Sequence, residues 1–439
     1  MAAEAIATKS ARGAWYMVWL LTLTQVLAYI NRFLPSLLTP AIKADLHLTD
    51  FQIGLLLGPA FALFYVAVGL PFGWAADRYP RRALLAFGVA IWSAAMAASS
   101  LAFSFVPLFA ARLGVGFGEA AVTPCAVSLI GDRFVRPRRQ PPISLYMSAT
   151  FLGAGSAFLF GGPLIEWLQS VPPLVAGMRP WQSAFLIAGL PGFALALFMF
   201  TFAEPKRTDL TGATAATLAA AVRYIAERWR AFGALFVGSG CAVTLSVLSL
   251  WNAPLFQRTW GWPVGEVGVA TGLIFFTAGP LGTLAGVWLT RRWIGQKRPD
   301  TTLRVLFAGL CVGAPALTLF PLAPSASLGV CGMFVGFAGL SMSTAAGPAS
   351  LVMLAPGQIR SQATAIYYFV VSLAGQVLGP PPVGWMADHV FGPAGLRYAM
   401  AIEAVAVSVP ALILVALGLR AFGHRSEELE RASAALADD

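Results

Sequence analysis

Twelve separate runs of mostly apolar residues, each long enough to cross a bilayer, constrain this chain more than any other feature. They lie near 15–38, 51–76, 81–103, 106–131, 141–165, 181–203, 231–253, 264–289, 302–322, 325–352, 360–386 and 396–420. A helix needs about 20 such residues to span the hydrocarbon core. Lipid offers no partners for backbone N–H and C=O groups, so a spanning run of this kind must satisfy them within a helix. The expected fold class is therefore an all-α membrane protein with twelve transmembrane helices. The connections are mostly short. The longest, 204–230, separates six spans from six and predicts two six-helix bundles, 15–203 and 231–420, with polar tails at 1–14 and 421–439.

Charge patterning gives an orientation. Charged residues are 11% of the chain and mean hydropathy is +0.74. That is about half the charge of an average soluble domain. The net charge of +10 could suggest a polyanionic partner. Once the spans are placed, however, roughly 23 Lys and Arg fall on one face and about 4 on the other, which is the positive-inside asymmetry. No nucleic-acid partner is expected. The basic segments Arg78–Arg82, Arg133–Arg139, Lys206–Arg230 and Arg291–Arg298, with Arg360 and the C-terminal tail, alternate as an even number of spans requires. Both termini are expected to be cytoplasmic. The segment before Trp15 is short and polar with Lys9 and Arg12, so no cleavable signal is expected. The excess of Arg over Lys and the many Ala and Gly hint at a bacterial inner membrane. The linker 204–230 is expected to carry a short amphipathic helix at the membrane surface. Cys125, Cys241, Cys311 and Cys331 all lie in apolar runs and read as reduced, buried residues.

The segment Gly69–Arg82, GLPFGWAADRYPRR, ends a span in a charged corner. Gly73 would let two backbones approach. Asp77 could pair with a nearby arginine or accept from a helix N-terminus. Arg78, Arg81 and Arg82 would hold the loop at the cytoplasmic face. The pattern Gly-x-x-x-Asp-Arg-x-x-Arg-Arg resembles the signature between the second and third spans of major facilitator superfamily transporters. The resemblance implies the major facilitator fold. It also implies that Gly73, Asp77, Arg78 and Arg81, with Asp132 at the end of the fourth span, form a conformational latch; ordinary interfacial pairing is the alternative. In the second half, Gly282–Arg292 keeps a glycine before a basic pair but carries Thr290 in place of the aspartate, so a full charge lock is not expected there. Glycine pairs at four-residue spacing (Gly69/Gly73, Gly282/Gly286, Gly332/Gly336, Gly375/Gly379) predict close helix packing.

Charges inside the spans are few: Arg32 on the first, Arg112 and Glu119 on the fourth, Glu403 on the last. Each would cost roughly 2.5–3.5 kcal/mol facing lipid at a helix centre, so each should face a cavity or a partner. Arg112 and Glu119 are seven residues apart and share a helix face, with Gly114, Gly116 and Gly118 expected to leave that face open. Glu119 is the candidate proton carrier: burial favours the neutral form of a carboxyl, and a nearby arginine opposes it. Arg112 and Arg32 are the arginines in question. The alternative is a permanent salt bridge that only holds helices together. Arg32 also offers a planar fork for phosphate or carboxylate. Glu403 reads as structural.

The string Arg112-Leu-Gly-Val-Gly116-Phe-Gly118 resembles the superfamily's fourth-span signature. With the stretch Leu23–Arg82, Glu119-Ala-Ala, Ser128–Phe134 and Leu396–Met400, the chain resembles Spinster-like transporters, densely over 20–170 and thinly beyond. The resemblance implies lysolipid or sphingosine-1-phosphate-type substrates, proton coupling, and a functional pair Arg32 and Glu119. Where that family carries an acid before the arginine, this chain has Asn31, an amide that cannot titrate. Phe33, Phe61, Phe64, Tyr65, Tyr146, Trp251, Phe256, Tyr367 and Tyr368 are candidates to line an aromatic cavity, with Gln25, Asn252, Ser341, Ser343 and Gln376 as polar candidates. From these, Arg32, Tyr65, Tyr146, Asn252, Tyr367 and Tyr368 are expected to bind substrate.

The expected function is proton-linked secondary transport of an amphiphilic anion by alternating access, with the lipid bilayer as surroundings, a proton gradient in place of any cofactor, no metal, and a monomer as the working unit. Transport of a small organic acid is the alternative, with Arg32 binding carboxylate. An enzyme is not expected: the histidines are His47, His389 and His424, and neither HExxH nor GxSxG occurs. A sensor would need a soluble signalling domain, and a primary pump a phosphate loop; the sequence has neither.

Overall fold

A computed structural model describes residues 2–134, 138–205, 207, 218–296, 298–356 and 359–438. Of the basic segments and linker read from sequence, Arg136, Lys206, Lys297 and 208–217 lie outside the described residues. Among the described residues, twelve helices are long and apolar enough to cross a membrane: Gly13–Leu46, Asp50–Gly69, Arg81–Ser99, Phe105–Arg133, Gln140–Ser170, Pro180–Phe198, Trp229–Trp260, Val264–Gly295, Thr301–Leu322, Ala326–Leu354, Gln362–Phe391 and Leu396–Arg431. No strand occurs among the described residues. The first and last helices run past the apolar stretches, covering Ala2–Leu46 and Leu396–Asp438, so the segments read as polar tails continue the neighbouring helices.

The chain forms two compact units, Met1–Leu210 with Trp262–Leu273, and Thr211–Gly261 with Ile274–Asp439. Beyond the linker, Trp262–Leu273 at the start of the eighth span groups with the first unit. Glycines make that possible. A Cβ at Gly268 would lie 2.6 Å from the Phe158 carbonyl oxygen and one at Gly272 would lie 2.7 Å from the Leu159 N, so these backbones approach as only glycine allows. Glu166 Oε1 on the fifth span accepts the Gly265 N–H at 2.9 Å, satisfying a donor that a helix N-terminus leaves open.

Several spans are broken where the sequence dictates. Pro124 has no N–H for the carbonyl four residues back, and the fourth span splits into Phe105–Glu119 and Val122–Arg133. The second span breaks at Gly58–Pro59 into Asp50–Leu57 and Pro59–Arg78, after starting on a capping box in which Thr49 and Gln52 exchange hydrogen bonds of 3.0 and 3.1 Å. In the seventh span, Pro254 follows a 3-10 turn at Leu248–Trp251. The eleventh breaks at the run Pro380–Pro382.

The linker helix Leu218–Glu227 belongs to the second unit. Its Ala221 is buried, and its Tyr224 hydroxyl accepts from Arg425 Nε at 3.1 Å, under the Arg228 guanidinium at 4.0 Å. Leu218 and Val222 stay exposed on another face. Hydrogen bonds from Arg223 and Arg228 hold the Glu227 carboxyl below the usual carboxylate range.

Candidate functional site

In the first unit, Gln25, Ala28, Tyr29 and Arg32 on the first span, Tyr65 on the second, and Glu119 and Thr123 on the fourth enclose one cavity. Arg32 and Glu119 therefore share a cavity. Arg32 lies among aromatic rings: its guanidinium carbon is 4.0 Å from the Phe61 centroid, 5.0 Å from Tyr65 and 5.6 Å from Tyr29. Ring faces stabilise the cation without consuming its donors. Its Nε has no hydrogen-bond partner. Glu119 is 6% exposed, and its Oε1 has no hydrogen-bond partner. It forms no ion pair with Arg32 or Arg112 among the described residues. Tyr146, on the fifth span, closes the polar side: its hydroxyl donates to Gln25 Oε1 at 2.8 Å and lies 3.4 Å from Thr123 Oγ1.

Arg112 does share the Glu119 face, but it opens onto a different cavity. That one is lined by Pro35, Thr39 and Ile42 of the first span, Ile53, Leu56 and Leu57 of the second, Leu108, and Phe185. Arg112 is 2% exposed, donates Nη1–H to the Asn31 carbonyl oxygen at 3.2 Å, and leaves Nε unpartnered. Both amide atoms of the Asn31 side chain lack partners too. The two cavities follow the seam between the first and fourth spans, with the Asn31–Arg112 contact between their lining residues.

The intervening glycines are not open space. A Cβ at Gly116 would sit 2.1 Å from the Phe61 carbonyl oxygen, one at Gly118 2.4 Å from that of Gly88, and one at Gly114 2.9 Å from the Ala95 side chain. The expectation of an open face is corrected: these residues bring the fourth span against the second and third, and Gly116 sets where Phe61 lies beneath Arg32. Gly116→Ala is expected to cost about 1–3 kcal/mol through forced separation of backbones, read as a lower thermal midpoint. An unchanged midpoint would contradict the close approach.

At the other end of the unit, Arg81 is the hub of a charged cluster. It is 1% exposed and forms ion pairs with Asp132 and, at 3.2 Å through Nε, with Glu204. It also donates to Ser128 Oγ at 2.9 Å and to the Pro205 carbonyl oxygen at 2.8 Å. The Arg81 backbone N–H donates to Glu204 Oε1 at 2.8 Å, so this carboxylate also caps the third span. Of the expected latch, Arg81 and Asp132 come together. Asp77 is exposed with no ion pair among the described residues, and Arg78 lies over the Trp74 ring at 4.1 Å. A Cβ at Gly73 or Gly69 would meet nothing within 4 Å among the described residues, so the expected close packing is absent there. The other three glycine pairs do pack closely, Gly282 against Ala338 most tightly. Thr290 bonds its own helix, to the Gly286 carbonyl oxygen at 2.8 Å.

In the second unit, Asn252 is buried with Nδ2 2.9 Å from Met333 Sδ and Oδ1 unpartnered, lining a cavity with Ser249, Phe320, Phe337 and Met400. Tyr367 is buried against Phe236 and Tyr368, whereas Tyr368 is exposed. Trp251 and Phe256 are core residues; Trp251 Nε1 donates to the Pro380 carbonyl oxygen at 3.2 Å. Ser343 is satisfied by the Leu306 carbonyl at 2.9 Å. Sequence reasoning missed Tyr29 and Thr123. Helical spacing could have found both, one turn before Arg32 and one turn after Glu119. It also missed Glu204, an acid ending the sixth span on the basic face.

Comparison with known proteins adds the family. The sequence pattern of the Major Facilitator Superfamily matches residues 21–299. An MFS-type efflux pump of Mycolicibacterium smegmatis is 30% identical over 386 residues, 86% of each chain. Protein spinster of Drosophila melanogaster is 25% identical over 86% of this chain and 63% of its own length. A probable L-galactonate transporter of Escherichia coli is 25% identical over 73% of this chain and 71% of its own. The fold matches, at TM-score 0.78 and 25% identity, a bacterial homolog of the human lysosomal transporter Spinster solved in an inward-facing, unoccupied conformation, covering 94% of this chain and 97% of that one. The chain belongs to the Major Facilitator Superfamily and is similar to its Spinster proteins.

Proposed function

We propose that this protein is a proton-coupled secondary transporter of an amphiphilic anion, working as a monomer in a bacterial inner membrane with both termini cytoplasmic. The observation that carries the reading is the shared cavity of Arg32 and Glu119, two unpaired ionisable side chains among aromatic rings. Intramembrane charges of this kind are expensive and mark functional pathways. Arg32 would hold the anionic headgroup through its guanidinium, whose Nε is unpartnered. Glu119 would take and release the proton. Tyr65 and Tyr146 would contribute to the substrate surface of the first unit, and Asn252, Tyr367 and Tyr368 are the candidate substrate contacts of the second unit taken by itself. The cycle is alternating access between two six-helix bundles, with the Arg81 cluster as a latch made in one state and released in the other. The sequence resemblance to Spinster-like transporters implies a lipid-like substrate.

A second reading, transport of a small organic anion, draws support from the likeness to a probable L-galactonate transporter. Uptake into proteoliposomes of lysolipids against sugar acids, with and without an imposed pH gradient, separates the two. Arg32→Ala is expected to weaken binding of the transported anion about 10- to 100-fold, the worth of one or two charge-assisted hydrogen bonds. Unchanged affinity would make Arg32 structural.

A further inference from the structure

The charge count around Glu119 does not balance. Arg32 of the first span shares its cavity, Arg112 on its own span lines the adjoining one close enough to act on it electrostatically, and among the described residues no second acid lines either cavity. The other polar neighbours of Glu119 in its cavity, Gln25, Tyr29, Tyr65 and Thr123, add no carboxylate. Two arginines and one glutamate leave a buried charge of +1 when Glu119 is ionised and +2 when it carries a proton. Uncompensated buried charge is costly, so the favoured ligand brings the matching opposite charge. Glu119 also lines the same small cavity as Arg32 with a free Oε1. Ionised, it repels an incoming anion; protonated, it can donate a hydrogen bond to one.

We propose that the charge of the ligand headgroup sets the proton coupling at this site. A phosphomonoester dianion binds together with a proton on Glu119, so that −2 meets +2. A phosphodiester monoanion binds with Glu119 ionised, so that −1 meets +1, and no proton is taken up. This rests on the amphiphilic-anion reading and goes beyond it, because one pathway would then couple differently to two lipids with the same acyl chain.

Calorimetric titration of the full-length protein in detergent tests it. The probes are 1-oleoyl lysophosphatidic acid, a phosphomonoester, and 1-oleoyl lysophosphatidylglycerol, a phosphodiester. Working about two pH units above the second phosphate pKa of about 6 keeps the first probe dianionic in solution. Measuring the heat in two buffers of different protonation enthalpy gives protons taken up per ligand bound. The expected result is close to one for the phosphomonoester and close to zero for the phosphodiester. Glu119→Gln is expected to bind the phosphomonoester with no proton uptake. Equal uptake for both probes in the parent protein, or uptake that persists in Glu119→Gln, overturns the charge-matching proposal while leaving the substrate reading intact. Failure of either probe to bind overturns the amphiphilic-anion reading and this proposal with it.

Discussion

Replacing Glu119 by Gln is expected to abolish proton-driven accumulation of substrate while leaving substrate exchange across the membrane in place. The amide has nearly the volume of the carboxyl and resembles its protonated form, so the packing around a residue that is 6% exposed should persist. Glu119 Oε1 makes no hydrogen bond that the change would break, and the variant holds the net charge of the protonated state. A pH difference of one unit stores about 1.4 kcal/mol per proton, enough for about tenfold accumulation at one proton per substrate. In the variant that accumulation should fall to the equilibrium ratio of one. Counterflow, in which unlabelled substrate inside draws labelled substrate in, needs only the opening and closing of the pathway and should survive. Equal response of parent and variant to an imposed pH gradient would remove Glu119 from the coupling. Loss of both activities with a normal thermal midpoint would mean that the carboxylate is needed for the conformational change itself.

What sequence could reveal here follows from the range of the physics involved. A spanning helix is a local property, so twelve apolar runs translate directly into twelve helices. A charge in an apolar run is equally local, and Arg32, Arg112 and Glu119 stand out without any tertiary information. Their surroundings are not local. Arg112 and Glu119 share a face, yet face separate cavities, because the first span supplies Gln25 to Arg32 opposite one and Pro35 to Ile42 opposite the other. The spacing of Gly114, Gly116 and Gly118 is compatible with an open groove or with close packing. Only the position of Phe61 and Gly88 decides for packing. Glu204 shows the same limit. Nothing nearby in sequence says that it reaches back to the third span, 123 residues earlier.

Arg81→Ala is expected to be the most destabilising single change in the first unit. The guanidinium supplies donors to Asp132, Glu204, Ser128 and the Pro205 carbonyl, ties together the third and fourth spans and the end of the sixth, and is almost fully buried. Removing it leaves two carboxylates near each other with no cation between them. Breaking a buried pair costs about 3–5 kcal/mol. Glu204 is 19% exposed and Asp132 10%, so water relieves part of that and the low end is the better expectation. Lysine cannot reproduce the fork, so Arg81→Lys should keep the charge, lose half of the bonds and fall between parent and alanine variant. The thermal midpoint in detergent at one scan rate measures this, because unfolding of a membrane protein is commonly irreversible. Adding Asp132→Asn to Arg81→Ala should recover part of the loss by removing the stranded charge, which a mere packing defect would not do. Transport per folded molecule then separates a staple from a latch. A staple leaves turnover unchanged in the surviving protein. A latch that holds one state of the cycle alters turnover even where the double variant regains stability, because the bond it removes is one the cycle must make and break.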